Sequence, residues 1–570
     1  MPLPFKSLWL LDYEYRELEG NLVEPWCAVA KNLFTAEVRV WRHTDKVCRP
    51  IYDIGPRDVV VAYAAESEGR CCRRLGWPLP QHCVDLLPIF RRLINRFGSR
   101  SKASLLDALK HFNLPGISGL EKEEYRALAI RGAPFTEAEM DGLVAYCKTD
   151  VEALEALFPK LIETVDIQHA LLMGRYTMVA VSGVQYAGVP VNHVLLTAMV
   201  ENQAEIAKRL TVDIDKDFGV YVDGSFIHSN FESFLQKKGM VWPRTLAGRL
   251  QLSEDTFKEL SLRYPCVKPL AELRKSLATF RAIKPSLGAD GRNRVALMPF
   301  SSITGRNQPR GSGYVFAWPK WMRNFIQAPE GRVLISFDYE QQEFLIGAAL
   351  AQDRAMMDAY HSGDPYLHMA KLSRAIPPDA TKDSHRQQRD LYKTLVLSIQ
   401  YGTGLDGLSA KLGDRAVAKK LSEEHRHQFR RYHSWCEQQV ERVLLGESLT
   451  TPFGWAIRKS DISGEEINPR SVGNWPVQAT GSDILRIAAI SLVERNITVV
   501  ALVHDALVVE CAHAEADDVV RTVTGLMEET SMAVLSGERC RVEATVSAPG
   551  GGWADASPMF EKVTRIIQNL

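Results

Sequence analysis

No CxxC pair occurs among the ten cysteines (Cys27, Cys48, Cys71, Cys72, Cys83, Cys147, Cys266, Cys436, Cys511 and Cys540), and none of their spacings is that of a zinc site or a disulfide framework. That scatter fits a reducing compartment, so the chain is expected in the cytoplasm. No stretch approaches the roughly 18 apolar residues that span a bilayer, and the apolar run in MPLPFKSLWLLDYEYRE is short for a signal peptide. Membrane proteins are thereby excluded, and a soluble chain with no membrane partner is expected. Net charge is missing too, because Lys plus Arg equal Asp plus Glu at 69 each. Overall basicity therefore argues nothing about nucleic acid, although a balanced total can hide a polarised surface. Neither an internal repeat nor a low-complexity tract is found, which removes solenoid and disordered classes.

What is present is globular composition, 46% hydrophobic and 24% charged, over 570 residues, enough for two or more domains. The apolar run SLWLLDYEY, a second strand-like run DVVVAYAAE and the helical EAEMDGLVAYCKTDVEALEALFPKL make the first 165 residues an α/β unit, with a boundary near 165–185. Residues 263–323 then carry twelve basic side chains, Arg306 and Arg323 among them, against Glu272 and Asp290. This net +10 repels itself unless an anion such as a phosphate backbone lies across it.

Three further segments carry chemistry. GRVLISFDYE reads as a buried strand ending at Asp338, and ITVVALVHDALVVECA as a hairpin with His504 and Asp505 at its tip. In DSHRQQRDLYKTLVLSIQYGTG, Arg386, Arg389 and Lys393 share one helical face, and Gly402 and Gly404 end the helix. A strand-terminal Asp alone serves more often as a cap or turn. Two such aspartates beside a cationic helix face match what two-metal phosphoryl transfer needs: carboxylates for the cations, and Arg and Lys for a triphosphate.

In chain order stand TGRNQPR (304–310), FDYEQQEF (337–344), Arg389 with Lys393 and Tyr401-Gly402, Arg470 with Asn474 and Gln478, and VHD (503–505). On these motifs the C-terminal two thirds resembles a family A DNA polymerase. The resemblance implies that Asp338, Asp505 and the Tyr339 carbonyl bind two Mg²⁺ ions, with Mn²⁺ as a substitute. It implies that Arg389 and Lys393 grip the incoming dNTP, and that Tyr401 packs beside the nascent base pair. Glu343 would exclude a ribose 2′-OH, and Arg306, Arg323, Arg470, Asn474, Gln478 and His504 would contact primer-template DNA. Three positions depart from the family pattern: Ala506 where motif C has Glu, Leu397 where an aromatic follows the motif B lysine, and Tyr366 where a His follows Asp364, with His368 out of register.

Asp12 and Glu14 form a D-x-E on a strand, both carboxylates on one face, while Tyr146 and Asp150 lie one turn apart on a helix. Together they resemble the DEDDy 3′–5′ exonucleases. The resemblance implies Asp12, Glu14 and Asp150 as metal ligands for a second pair of cations, and Tyr146 as the group that orients the attacking water. For the remaining carboxylate Glu68 has the best register and Glu66 is a further alternative, whereas Asp85 is read as a second-rank position rather than the metal ligand.

The expected architecture is thus α/β: an RNase H-like exonuclease domain (1–165), then a right-hand polymerase. In the latter, 166–330 would begin the palm and form the thumb, 331–383 the motif A palm, 384–469 the fingers, and 470–570 the motif C palm. The expected function is templated addition of dNTPs to a primer 3′-OH, with proofreading, in DNA replication. The alternative is an exonuclease whose degenerate polymerase half only holds DNA. A phage-like layout without a 5′-nuclease domain, a monomer, unidentified accessory proteins and a bacterial or phage-infected cytoplasm complete the expectation.

Overall fold

The computed structural model describes residues 5–47, 49–97, 102–116, 119–245, 247–459, 468–553 and 557–570. They fall into two compact units. One holds the described residues within 1–187, 296–308 and 335–545; the other holds those within 188–295, 309–334 and 546–570.

The first unit opens with a five-stranded sheet in the order β3-β2-β1-β4-β5: β1 Ser7–Glu17, β2 Val23–Asn32, β3 Val38–Arg42, β4 Asp58–Ala62 and β5 Cys83–Asp85. Strand β1 is central, antiparallel to β2 and parallel to β4. Its apolar start reflects burial on both faces, with Leu8 and Leu10 in one core and Trp9, Leu11 and Tyr13 in the other. Each buried Leu contributes about 1.5–3 kcal/mol. The even-numbered face ends in Asp12 and Glu14, because side chains alternate with period two. Pairing with β2 shifts register between Glu14 and Tyr15, where Pro25 stands opposite Tyr15. Proline has no N–H for the ladder, so an irregularity falls beside the acid pair.

A long helix, Glu137–Ile162, covers this face, started by a capping box of Thr136 and Glu139. Its buried side, at spacings of three and four, includes Leu143, Cys147, Val151 and Leu154, and in the same stripe Tyr146 and Asp150.

A second sheet, most of whose residues belong to this unit, runs in the order Thr498–Val503, Ala506–Ala512, Arg332–Tyr339, Val542–Val546. The strand of Asp338 therefore has a neighbour on each side. Val503 pairs with Ala506, leaving His504 and Asp505 as a two-residue turn, with His504 at φ +57°. A non-glycine residue there stores roughly 1–3 kcal/mol of strain, a cost associated with functional positions.

The other unit is mainly helical around an aromatic core of Phe231, Phe234, Trp242 and Phe257. Its C-terminal helix Pro558–Gln568 packs on Gln203–Asp215, and Lys562 pairs with Asp213. Asp505 falls in the first unit, and the described residues of 546–570 fall in the second. Two of the twelve basic side chains of residues 263–323 are held by internal contacts. Arg294 is buried and paired with Asp290 at 2.5 Å, and Arg274 lies 4.3 Å from the Phe226 ring and 4.8 Å from that of Phe257.

Candidate active sites

Asp338, Tyr339, Glu343, Arg389, Lys393, Leu397, Tyr401 and Asp505 line one cavity of about 610 Å³. These residues come from four places. Asp338 and Tyr339 end the strand Arg332–Tyr339, and Glu343 stands in the first turn of the helix Gln342–Ala351. Asp505 comes from the hairpin turn. The helix Arg386–Gln400 presents Arg389, Lys393 and Leu397 at intervals of four, with Tyr401 capping its end. Arg386, expected on the same face, does not line the cavity, whereas Lys382, in the turn before the helix, does.

The cavity has an acidic wall and a basic one. Its walls desolvate Asp338 and the charges of Asp505, Glu543 and Glu340 repel its ionised form, so its carboxyl is pushed up to about 6. Opposite, Arg389 is buried and donates from Nε to Asp364 at 2.8 Å and from Nη1 to Asp390 at 3.2 Å. Its guanidinium also lies 5.2 Å from the Tyr366 ring. Tyr366, in place of histidine, thus supplies a face that holds the arginine.

Glu343 accepts from Tyr401 at 3.2 Å and from Arg306 at 3.5 Å, and burial raises its carboxyl. Arg306 and His504 meet again in a small cavity of about 50 Å³. Arg470, Asn474 and Gln478 lie at intervals of four on the helix Pro469–Glu494. A Cβ on Gly402, whose φ is +69°, would sit 2.4 Å from Arg470 Cβ, so glycine is required where the two segments touch.

Arg323, also expected to contact DNA, belongs to the other unit, where it is half-buried against the Phe316 ring at 5.6 Å and donates to the Phe316 carbonyl at 3.4 Å. Sequence reasoning also missed Lys382, Glu543 and Gln342, all of which line the cavity. For Glu543 a signal existed, since it sits in a strand-like run, but nothing local says which strand it pairs with.

In the first sheet, Asp12, Glu14 and Asp150 offer carboxylate oxygens that all lie within 4.8 Å of one another. The Cys147 thiol donates to Asp12 Oδ2 at 3.2 Å, holding one oxygen of that carboxylate. Tyr146 hydrogen-bonds Asp150, its phenol is raised by burial and then by Asp150, and it stacks on Tyr125 with centroids 5.4 Å apart. Glu68 is buried in the helix Ala65–Leu75 with Oε2 lacking a hydrogen-bond partner among the described residues. Burial, and then the charge of Asp12, holds its carboxyl well above the usual range. Glu66 is raised to about 7 by burial and Asp85. Asp85 instead accepts from the backbone N–H groups of Ala64, Ala65 and Leu87 at 2.9–3.0 Å, which makes it a cap for two helices. Converging carboxylates with a buried oxygen unpartnered nearby are the donor set of a hard divalent cation.

The DNA polymerase family A profile matches residues 317–553. DNA polymerase I of Aquifex aeolicus is 24% identical over 446 residues, covering 71% of this chain and 75% of that protein. The thermostable DNA polymerase I of Thermus thermophilus is 25% identical over 305 residues, and DNA polymerase I of Chloroflexus aurantiacus 24% identical over 335 residues. These matches cover 50% and 55% of this chain, which spans only 36% and 35% of those two proteins. In fold, it is similar to the POL domain of Pol1 from M. smegmatis, solved in complex with DNA primer-template and dNTP, at a TM-score of 0.68 and 17% identity over 95% of each chain. Over residues 317–553 this chain is thus similar to DNA polymerase family A.

Proposed function

We propose that this chain extends a primer on a DNA template, joining the primer 3′-OH to the α-phosphate of a dNTP and releasing pyrophosphate. The observation that carries this reading is the single cavity in which Asp338 and Asp505 face Arg389 and Lys393. Family A DNA polymerases use divalent metal ions; here Asp338, Asp505 and the Tyr339 carbonyl would hold two Mg²⁺, or Mn²⁺, which supply charge neutralisation and a more acidic primer hydroxyl.

The protein's own groups do the rest. Arg389, fixed by Asp364 and Tyr366, and Lys393, one turn on, bind the triphosphate and offset the charge that develops as pyrophosphate departs. Glu343, held by Tyr401 and Arg306, occupies the place that a 2′-OH would need. Arg306, Arg470, Asn474, Gln478 and His504 position primer and template. The finer domain reading keeps residues 331–383 and the hairpin as palm, and the helices after 384 as fingers.

A second activity, 3′–5′ removal of misincorporated nucleotides, is supported by the convergence of Asp12, Glu14 and Asp150 within 4.8 Å. In this reading Tyr146 orients the attacking water, and Glu68 is the fourth acid. The chain acts as a monomer, with replication accessory proteins, in a bacterial or phage-infected cytoplasm. No helix among the described residues is long and apolar enough to cross a membrane, and the described cysteines are all free.

A 5′-labelled primer-template incubated with Mg²⁺, with and without dNTPs, tests both activities. Lengthening with dNTPs and shortening without them is the expected result. No lengthening would overturn the polymerase reading, and lengthening without any shortening would overturn the exonuclease one.

A further inference from the structure

The polymerase cavity contains an acid that no motif accounts for. Glu543 lies on the strand Val542–Val546, about two hundred residues from Asp338 in sequence and beside it in the sheet. The Glu340 N–H donates to the Arg541 carbonyl at 2.9 Å, and the Ser547 N–H to the Leu334 carbonyl at 2.9 Å. These bonds make the two strands antiparallel and set Asp338 directly opposite Glu543. Opposite residues of an antiparallel pair project on the same face, with Cβ atoms about 4.5–5.5 Å apart. One step along that face, the opposite pair is Glu340 and Arg541, whose Nε and Oε2 are 3.0 Å apart. The same two strands therefore carry a complementary pair at one position and two like charges at the next. Like charges directly opposite each other are destabilising. A cation between them reverses the sign of that interaction.

Resting on the reading of Asp338 and Asp505 as the polymerase site, we propose that Glu543 is its third carboxylate, supplying from the neighbouring strand the negative charge that Ala506 does not supply from the hairpin. Glu543 lines the same cavity as both aspartates. Asp338 is thereby flanked on one side by Asp505, beside the strand Ala506–Ala512, and on the other by Glu543. The three do not form a group as tight as Asp12, Glu14 and Asp150, the cluster among the described residues whose oxygens all lie within 4.8 Å. Glu543 is thus a positioning residue: its charge strengthens the hold of Asp338 on a divalent cation.

Mn²⁺ binding tests this without any turnover. The full chain carrying D12A, which disables the other carboxylate cluster, is mixed with a dideoxy-terminated primer-template and dNTP, and bound Mn²⁺ is followed by electron paramagnetic resonance. E543Q is expected to weaken Mn²⁺ binding by about tenfold, the size of effect an outer carboxylate has on a metal site. E543D, and A506E added to E543Q, should each restore most of it. Binding by E543Q as tight as in the parent, while D338N abolishes it, would overturn the role of Glu543 and leave the site reading intact. Unchanged binding in D338N as well would overturn both. A loss in E543Q that neither E543D nor A506E restores would mark Glu543 as structural and overturn the proposal.

Discussion

The hydroxyl of Tyr401 donates to Glu343 Oε1 at 3.2 Å, tying the end of the helix that carries Arg389 and Lys393 to the first turn of the helix that follows Asp338. The bond joins the basic wall of the cavity to its acidic one. It also fixes the carboxylate that would meet a ribose hydroxyl. E343A should raise ribonucleotide incorporation relative to deoxynucleotide by about tenfold or more, since exclusion by a filled volume is lost with the side chain. Single-nucleotide insertion with matched rNTP and dNTP measures the ratio, and an unchanged ratio would remove Glu343 from sugar selection.

Arg389 is held by Asp364, Asp390 and the Tyr366 ring before any nucleotide arrives. A pre-positioned guanidinium loses little freedom on binding phosphate, so its removal should be felt mainly in dNTP affinity. R389A is expected to raise the dNTP KM by at least about tenfold, with R389K intermediate because the charge stays and the fork is lost. Primer-template affinity should hold within about twofold by fluorescence anisotropy if, as proposed, the charge removed serves the nucleotide rather than the duplex.

Asp338 makes the stability of the metal-free protein depend on pH. Its folded-state value of about 6 lies above the ordinary carboxylate value, so in metal-free protein the stability it contributes is present below about pH 4 and is lost as pH rises through 6. D338N cannot ionise and escapes that loss. Without metal at pH 7, D338N should melt about 1–3 °C above the parent, and the difference should vanish near pH 4. The same variant should abolish primer extension while leaving primer shortening in place. Extension that survives in D338N would remove Asp338 from the chemistry.

Glu68 is a buried carboxylate whose Oε2 has no hydrogen-bond partner among the described residues. A charge in that setting is costly unless a cation meets it. E68Q should therefore fold at least as stably as the parent and shorten a primer at least about a hundredfold more slowly, with extension unchanged. Shortening at the parental rate would exclude Glu68 and turn attention to Glu66, which burial and Asp85 raise to about 7.

Much of both sites was legible in the sequence because the features involved are short-range. Alternation along SLWLLDYEY places Asp12 and Glu14 on the face of Leu8 and Leu10, and the helix covering that face brings Asp150 to them. Intervals of four align Arg389, Lys393 and Leu397, and two apolar runs around His504-Asp505 form a hairpin. Each follows from the period of one element, which the covalent chain sets by itself. Charge counting carried less far. It could not say which basic side chains face inward: Arg274 and Arg323 lie against aromatic rings, and Arg294 is buried beside Asp290.

What only the tertiary structure decided is which distant segments lie side by side. Asp85, near the acid cluster, is spent on the backbone N–H groups of two helix starts. Tyr366, a departure in the motif, becomes the surface on which Arg389 rests. Glu543 faces Asp338 through a register fixed by backbone hydrogen bonds between strands about two hundred residues apart. A strand's sequence says which side chains share a face, but its partner and register come from the packing of the whole sheet. The chain by itself therefore determined the types and local spacing of the reactive groups, while the fold decided which of them meet, because meeting depends on distances that no local period encodes.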